Sequence, residues 1–198
     1  LHVTQGEVTQ PTWVTLAAVL APPHDGLTLV TAADSVAVWR TIHEERYLAV
    51  GWEAPVAELG GARAPRAWRR PQERHWSWVA VPEERAVITR LATFAQGDSA
   101  AEAVQAAQAA LRRARRSGLR NLYRAHARVW AQRWQEADII LEGETAVQRA
   151  LRFALYHLIS AANPENERVS IGARALTGEA YRGHVFWDTE IFLLPFYI

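Results

Sequence analysis

Apolar and polar positions alternate in short runs over the first half of the chain, then switch near Gly97 to helical spacing. Up to about residue 94 the apolar positions are largely β-branched or aromatic and are broken by Pro and Gly, which predicts strands at 12–20, 27–31, 36–42, 47–52, 75–81 and 86–94. Pro22-Pro23-His24-Asp25-Gly26 and Pro82-Glu83-Glu84 carry turn chemistry between them. The stretch from Glu53 to Arg70, rich in Pro, Gly, Ala and Arg, reads as an irregular loop. Short strands at this spacing suggest the later part of an antiparallel β-sandwich.

Past Gly97 the pattern is helical. Ser99-Ala-Ala-Glu102 is a capping box, and the Ala- and Gln-rich run behind it reaches Arg116, where Ser117-Gly118 ends it. A second helix over 119–136 sets Leu122, His126, Val129, Trp130 and Arg133 or Trp134 at helical spacing. Gly143 opens a third, which runs to Ala162 and stops at Asn163-Pro164. Its apolar face holds Val147, Leu151, Ala154, Leu155, Leu158 and Ile159, widened by Phe153 and Tyr156, so burial among other helices is expected. Residues 170–183, with Gly172, Gly178 and Gly183, read as a surface loop where sites usually sit. The expected fold class is α+β and multidomain: the end of an antiparallel β-sandwich over 1–96, a helical linker over 97–142, and the start of a helical domain over 143–198.

Composition narrows the function classes. A chain of 198 residues, 49% hydrophobic and 22% charged, is long enough to bury a real core in one or two domains. A net charge of +1 gives no global case for nucleic acid or membrane partners. There is no Cys, which excludes disulfides and thiolate chemistry and fits a reducing compartment. No apolar run spans a bilayer and the first residues lack a signal-peptide pattern, so a cytoplasmic location is expected. There is also no Met, and the chain begins in a strand-like pattern and ends inside the apolar run IFLLPFYI, so an internal fragment of a longer protein is expected. Of the nine Trp, most are expected in the core.

Several motifs have plain explanations. The Arg112, Arg113, Arg115 and Arg116 run sits in the last turns of a helix, where cations favour the dipole, and no aromatics interleave it. His75-Trp76-Ser77-Trp78 alternates as a strand, with His75 and Ser77 on one face and both tryptophans on the other; core packing outweighs a carbohydrate platform. The seven His form no metal-ligand spacing, which predicts no metal site, and Gly172, Gly178 and Gly183 match no phosphate or dinucleotide loop.

The final segment, YRGHVFWDTEIFLLPFYI over 181–198, carries the candidate chemistry. It sets Arg182, His184, Asp188 and Glu190 among Tyr181, Phe186, Trp187 and Phe192, carboxylates beside aromatic faces, which suits a sugar. A pyranose offers hydroxyls to a carboxylate and a C–H face to a ring, and a site that bonds hydroxyls discriminates strongly. Asp188 and Glu190 suggest the two carboxylates of a glycosidase. On a helix, however, residues two apart point about 200° from one another; only a strand would align them. Asp188 as helix N-cap, with Glu190 in the first turn, is the structural alternative, and spacing alone leaves it level with a ligand site.

RALTGEAYRGHVFWDTEIFLLPFY, residues 174–197, resembles the signature of glycoside hydrolase family 65, the maltose, trehalose, kojibiose and related α-glucoside phosphorylases. With Trp130, Trp134 and Ile139 the resemblance extends over about 98–198. It implies an N-terminal β-sandwich, a helical linker, an (α/α)6 barrel and a C-terminal β-domain, of which this chain would hold the end of the sandwich, the linker and the barrel's first helices. It implies that Trp187 and Asp188 line the subsite for the non-reducing glucose; Arg182 and His184, on the same loop, are sugar contacts or loop anchors. The implied reaction is inverting phosphorolysis of an α-linked glucose disaccharide to glucose 1-phosphate and glucose, with inorganic phosphate as co-substrate and no cofactor. The general-acid Glu and the phosphate-binding residues are implied downstream of Ile198, so neither Glu179 nor Glu190 takes the acid role and the chain alone is expected to be inactive. A homodimer is the expected assembly of the full-length protein. The alternatives are a phosphate-independent hydrolase on the same scaffold and a noncatalytic carbohydrate-binding protein.

Overall fold

A computed structural model describes residues 9–20, 26–33, 35–42, 45–53, 56–59, 66–70, 72–83, 86–167, 169–178 and 180–198. The Pro22 to Asp25 part of the first expected turn, Glu84 of the second, and Glu179 lie outside them. The chain divides into two compact units, Leu1–Leu122 and Tyr123–Ile198.

The first unit is a β-sandwich-like set of antiparallel sheets followed by helix. Its strands are β1 (Thr12–Val19), β2 (Leu27–Ala32), β3 (Val36–Thr41), β4 (Tyr47–Glu53), β5 (Val56–Leu59), β6 (Arg66–Arg70), β7 (Glu73–Ala80), β8 (Ala86–Ile88) and β9 (Leu91–Gly97). They form a four-stranded sheet β2-β3-β4-β9, a three-stranded sheet β1-β7-β6 and the pair β5-β8.

Period-two alternation gives the four-stranded sheet two apolar faces. Ala37 pairs with Val50 and Val38 with Ala49, so the pairs fall on opposite sides. Ala37, Trp39, Val50 and Trp52 pack with Leu20 on one face, and Val36, Val38 and Ala49 meet Ala103 and Ala107 of the helix on the other. Arg74 and Arg90 flank the Trp52 ring, their guanidinium carbons 5.0 and 5.3 Å from its centroid.

The helix α1 (Ala100–Ala137) docks closely because its contact residues are alanines and the sheet offers glycines. A Cβ on Gly51 would stand 3.0 Å from Thr93 Oγ1 and 3.2 Å from the Ala107 carbonyl oxygen. One on Gly97 would meet the Ala103 amide nitrogen at 2.8 Å. Thr93 Oγ1 donates to the Ala107 carbonyl at 2.9 Å. Half of the capping box forms: the Ser99 hydroxyl accepts the Glu102 amide, while the Glu102 carboxylate accepts the amide of Asp98, one residue before the cap. At Gly118 the backbone leaves helical geometry, φ 73° and ψ 153°, where the sequence placed a helix end.

Three expectations change. The stretch from Glu53 to Arg70 contains β5 and β6 rather than being wholly a loop. The strand expected over 86–94 is two strands, β8 and β9, in different sheets. The tryptophans divide: Trp39, Trp52 and Trp76 are buried, whereas Trp13, Trp68 and Trp187 are exposed. Trp68 stacks on His75, centroids 5.0 Å apart, and His75 Nε2 lies 2.8 Å from Glu73 Oε2.

In the second unit α2 (Thr145–Ala161) buries Leu155 and Ile159 but leaves Val147, Phe153 and Tyr156 exposed, so it is not enclosed on the scale its apolar face suggested. Trp130 stacks on Tyr156 at 5.1 Å. The Gln148 amide clamps the extended segment before α2: its oxygen accepts from the Leu141 amide and its nitrogen donates to the Ile139 carbonyl. No helix among the described residues is long and apolar enough to cross a membrane.

Candidate functional site

The loop after α2 closes on itself. The Ala173 amide donates to the His184 carbonyl at 3.0 Å, and Gly172 lies so near Gly183 that a Cβ there would sit 3.2 Å from the Gly183 oxygen. Arg174 heads a turn in which its carbonyl accepts from both the amide and the hydroxyl of Thr177, at 2.9 and 2.7 Å.

The return strand of the loop turns left-handed. Tyr181, at φ 69° and ψ 4°, Arg182, at φ 50° and ψ 35°, and Gly183, at φ 74°, follow one another, and the His184 amide closes the turn on the Tyr181 carbonyl at 2.9 Å. For non-glycine residues such a conformation costs on the order of 1 kcal/mol each and persists where surrounding contacts enforce it. Here those contacts include Tyr181 edge-on to Phe186, centroids 5.6 Å apart.

Beyond Phe186 the chain becomes helical through a π-turn (Thr189–Leu193) and α3 (Leu194–Tyr197). π-Turns concentrate at functional sites. Asp188 sits in the right-handed helical region, φ −55° and ψ −34°, and its side chain makes no capping hydrogen bond. The capping explanation of Asp188 is therefore not the one the structure adopts. The helical backbone also sets Asp188 and Glu190 on diverging directions, which removes the paired-carboxylate reading.

The loop and the residues leading into the π-turn form an open cavity of about 340 Å³ lined by Ala173, Arg174, Tyr181, Phe186 and Asp188. The wall carries one guanidinium, one carboxylate, one phenol and one apolar ring. Among the described residues neither Arg174 nor Asp188 pairs with an opposite charge. Arg174 can therefore donate and Asp188 accept toward a polyhydroxylated ligand, with the Phe186 and Tyr181 rings to cover its C–H surface.

Of the residues singled out in the sequence, Asp188 lines this cavity. Trp187 is next to it in sequence but 80% exposed and outside the lining; Arg182 and His184 are exposed and also outside it. Arg174 was not singled out, and Tyr181 and Phe186 were noted only as aromatic neighbours; the contiguous signature that begins at Arg174 was the available signal. The described residues hold no cluster of three or more His, Asp or Glu fit for a metal ion.

Comparison with known proteins bears on the same stretch. Residues 152–198 match the glycosyl hydrolase family 65 central catalytic domain. Over 73 residues the chain is 53% identical to kojibiose phosphorylase of Thermoanaerobacter brockii, covering 37% of this chain and 9% of that protein. Over 85 residues it is 40% identical to nigerose phosphorylase of Lachnoclostridium phytofermentans, covering 43% of this chain and 11% of that one. A solved structure described as "Putative kojibiose phosphorylase from human microbiome" has the same fold over 93% of this chain and 25% of its own, with a TM-score of 0.69 at 21% identity. The match thus spans only a small part of the length of each of these relatives. Residues 152–198, the stretch that holds the cavity, are thus similar to the central catalytic domain of glycosyl hydrolase family 65.

Proposed function

We propose that the protein carrying this chain is an inverting α-glucoside phosphorylase, and that the cavity beside Asp188 is part of its subsite for the non-reducing glucose. The observation that carries this reading is the meeting of Asp188, Arg174, Tyr181 and Phe186 in one cavity, within the family-matched residues. Relatives named as kojibiose and nigerose phosphorylases support the reaction class and leave the linkage open.

In this reading the Asp188 carboxylate accepts from glucose hydroxyls and the Arg174 guanidinium donates to another. Trp187 covers a sugar face from the rim, and Arg182 and His184 hold the loop or reach the sugar. A general-acid Glu beyond Ile198 protonates the glycosidic oxygen as its bond to the anomeric carbon breaks. A phosphate oxygen bonds that carbon from the opposite face, which inverts the configuration. Phosphate arrives as a nucleophile, so no base-acting carboxylate is required and the protein needs no cofactor. The same reading makes residues 1–96 the end of a sandwich domain, 97–142 a linker and 143–198 the opening of an (α/α)6 barrel in a homodimer.

The test is to incubate the complete protein with α-linked diglucosides, with and without inorganic phosphate, and assay glucose 1-phosphate and free glucose. Phosphate-dependent glucose 1-phosphate is expected, and the substrate consumed names the linkage. Two equivalents of glucose regardless of phosphate would mean hydrolysis and would overturn the phosphorylase reading.

A further inference from the structure

Thr189 has no role in the scheme above, yet its surroundings are unusual. Among the described residues it is the one buried polar or charged residue, 9% exposed. It follows Asp188 directly and opens the π-turn. Its amide donates to the Phe186 carbonyl at 3.1 Å, and its hydroxyl donates to the Ile171 carbonyl at 2.9 Å, eighteen residues back.

That second bond joins two segments that line the site. Ile171 leads into Gly172, Ala173 and Arg174, and Ala173 and Arg174 line the cavity. Phe186 and Asp188, which precede Thr189, line the same cavity. The same three-residue stretch is also held at Ala173 by His184, and Gly172 packs tightly beside Gly183, where a Cβ would sit 3.2 Å from its oxygen. The hydroxyl of Thr189 is thus a side-chain tie between the segment that carries the guanidinium and the segment that carries the carboxylate.

We propose that Thr189 is a positioning residue of the sugar subsite: its hydroxyl fixes the separation of Arg174 and Asp188. This deepens the functional reading above and rests on it. A ligand that bonds both groups at once depends on that separation, because displacement of a contact by about 1 Å is enough to cost two orders of magnitude in rate.

Thr189→Val in the complete protein keeps the side-chain shape and removes the donor, whereas Thr189→Ser keeps the donor. With the α-glucoside as variable substrate, the Val variant is expected to show KM raised and kcat/KM lowered about 10- to 100-fold, and the Ser variant to stay within about threefold of wild type. A merely structural defect would remove active molecules and lower apparent kcat at unchanged KM. Unchanged KM in the Val variant, or a raised KM that the Ser variant fails to restore, overturns the positioning role. Should the Val variant not fold, Thr189→Ala, which removes the donor without adding bulk, is read by the same criteria. A wild-type protein that turns over no α-glucoside overturns the functional reading itself, a result distinct from an active wild type indifferent to Thr189.

Discussion

Arg152 grips Asp138 with a forked pair of hydrogen bonds, Nε to Oδ1 at 3.0 Å and Nη2 to Oδ2 at 2.6 Å. The fork ties α2 to the end of α1, beside the backbone clamp made by Gln148. The hydrogen bond from Arg152 holds the Asp138 carboxyl below its ordinary range, with its positive charge adding to the effect, and the carboxylate raises the Arg152 guanidinium in turn. A carboxyl depressed on folding stabilises the folded state above its unfolded pKa, and that contribution fades as pH falls through the folded value. The melting temperature of wild type should therefore fall more steeply below about pH 4 than that of Asp138→Asn, which has no such group to protonate. Parallel curves for the two proteins would show that the fork contributes nothing to stability.

Asp188 is exposed, and its side chain caps no helix. Its substitution should therefore separate activity from folding. Asp188→Ala is expected to lower kcat/KM for the glucoside by about 10- to 100-fold, the cost of one or two hydrogen bonds to a charged group, with little change in melting temperature. Near-normal turnover would remove Asp188 from the sugar subsite.

Arg174 tests the cavity's other charged group. Arg174→Leu is expected to lower sugar affinity by about tenfold, read as a rise in KM, because a charged donor is lost from a site that still binds through Asp188. Arg174→Lys should restore part of that loss. An Arg174→Leu protein with unchanged KM would place the guanidinium outside the bound sugar's reach.

Helix docking onto the sandwich makes a prediction about stability alone. A methyl group at Gly97 would stand 2.8 Å from a backbone nitrogen that a rotamer change cannot move. Gly97→Ala should destabilise the protein by about 1–3 kcal/mol, visible as a lower denaturation midpoint at unchanged slope. A midpoint equal to wild type would mean that the helix shifts freely on the sheet.

Legibility in the sequence follows from what each element buries. β3 and β4 put apolar residues on both faces, and the run of Val, Ala and Trp that does so marks them as strands. β6 is exposed along all of Arg66–Arg70, with the sequence RAWRR. It is a strand because β7 pairs with it, and pairing leaves no hydrophobic alternation to read. The start of α1 was legible because Ser99 and Glu102 carry the capping chemistry themselves, and its break because Gly118 supplies the needed backbone freedom.

At the site, Asp188 was legible through its motif, but the cavity it faces was not. Tyr181 reaches it from a turn whose left-handed residues include Tyr181 and Arg182, and Arg174 from one with Ala175 at φ 47°, types that give no warning of that conformation. The π-turn has the same property. It begins directly after Asp188, and no residue type announces it.

The two-faced covering of the four-stranded sheet sets the order in which the first unit comes apart. Strands β3 and β4 are central and shielded from above and below, whereas the three-stranded sheet leaves Trp13, Val19 and Val79 open to solvent. Water therefore reaches the outer sheet through partial fluctuations, while β3 and β4 yield only when helix and sandwich separate together. The strands that anchor α1 are thus the last to be released, and the start of the helix persists for as long as the sheet beneath it does.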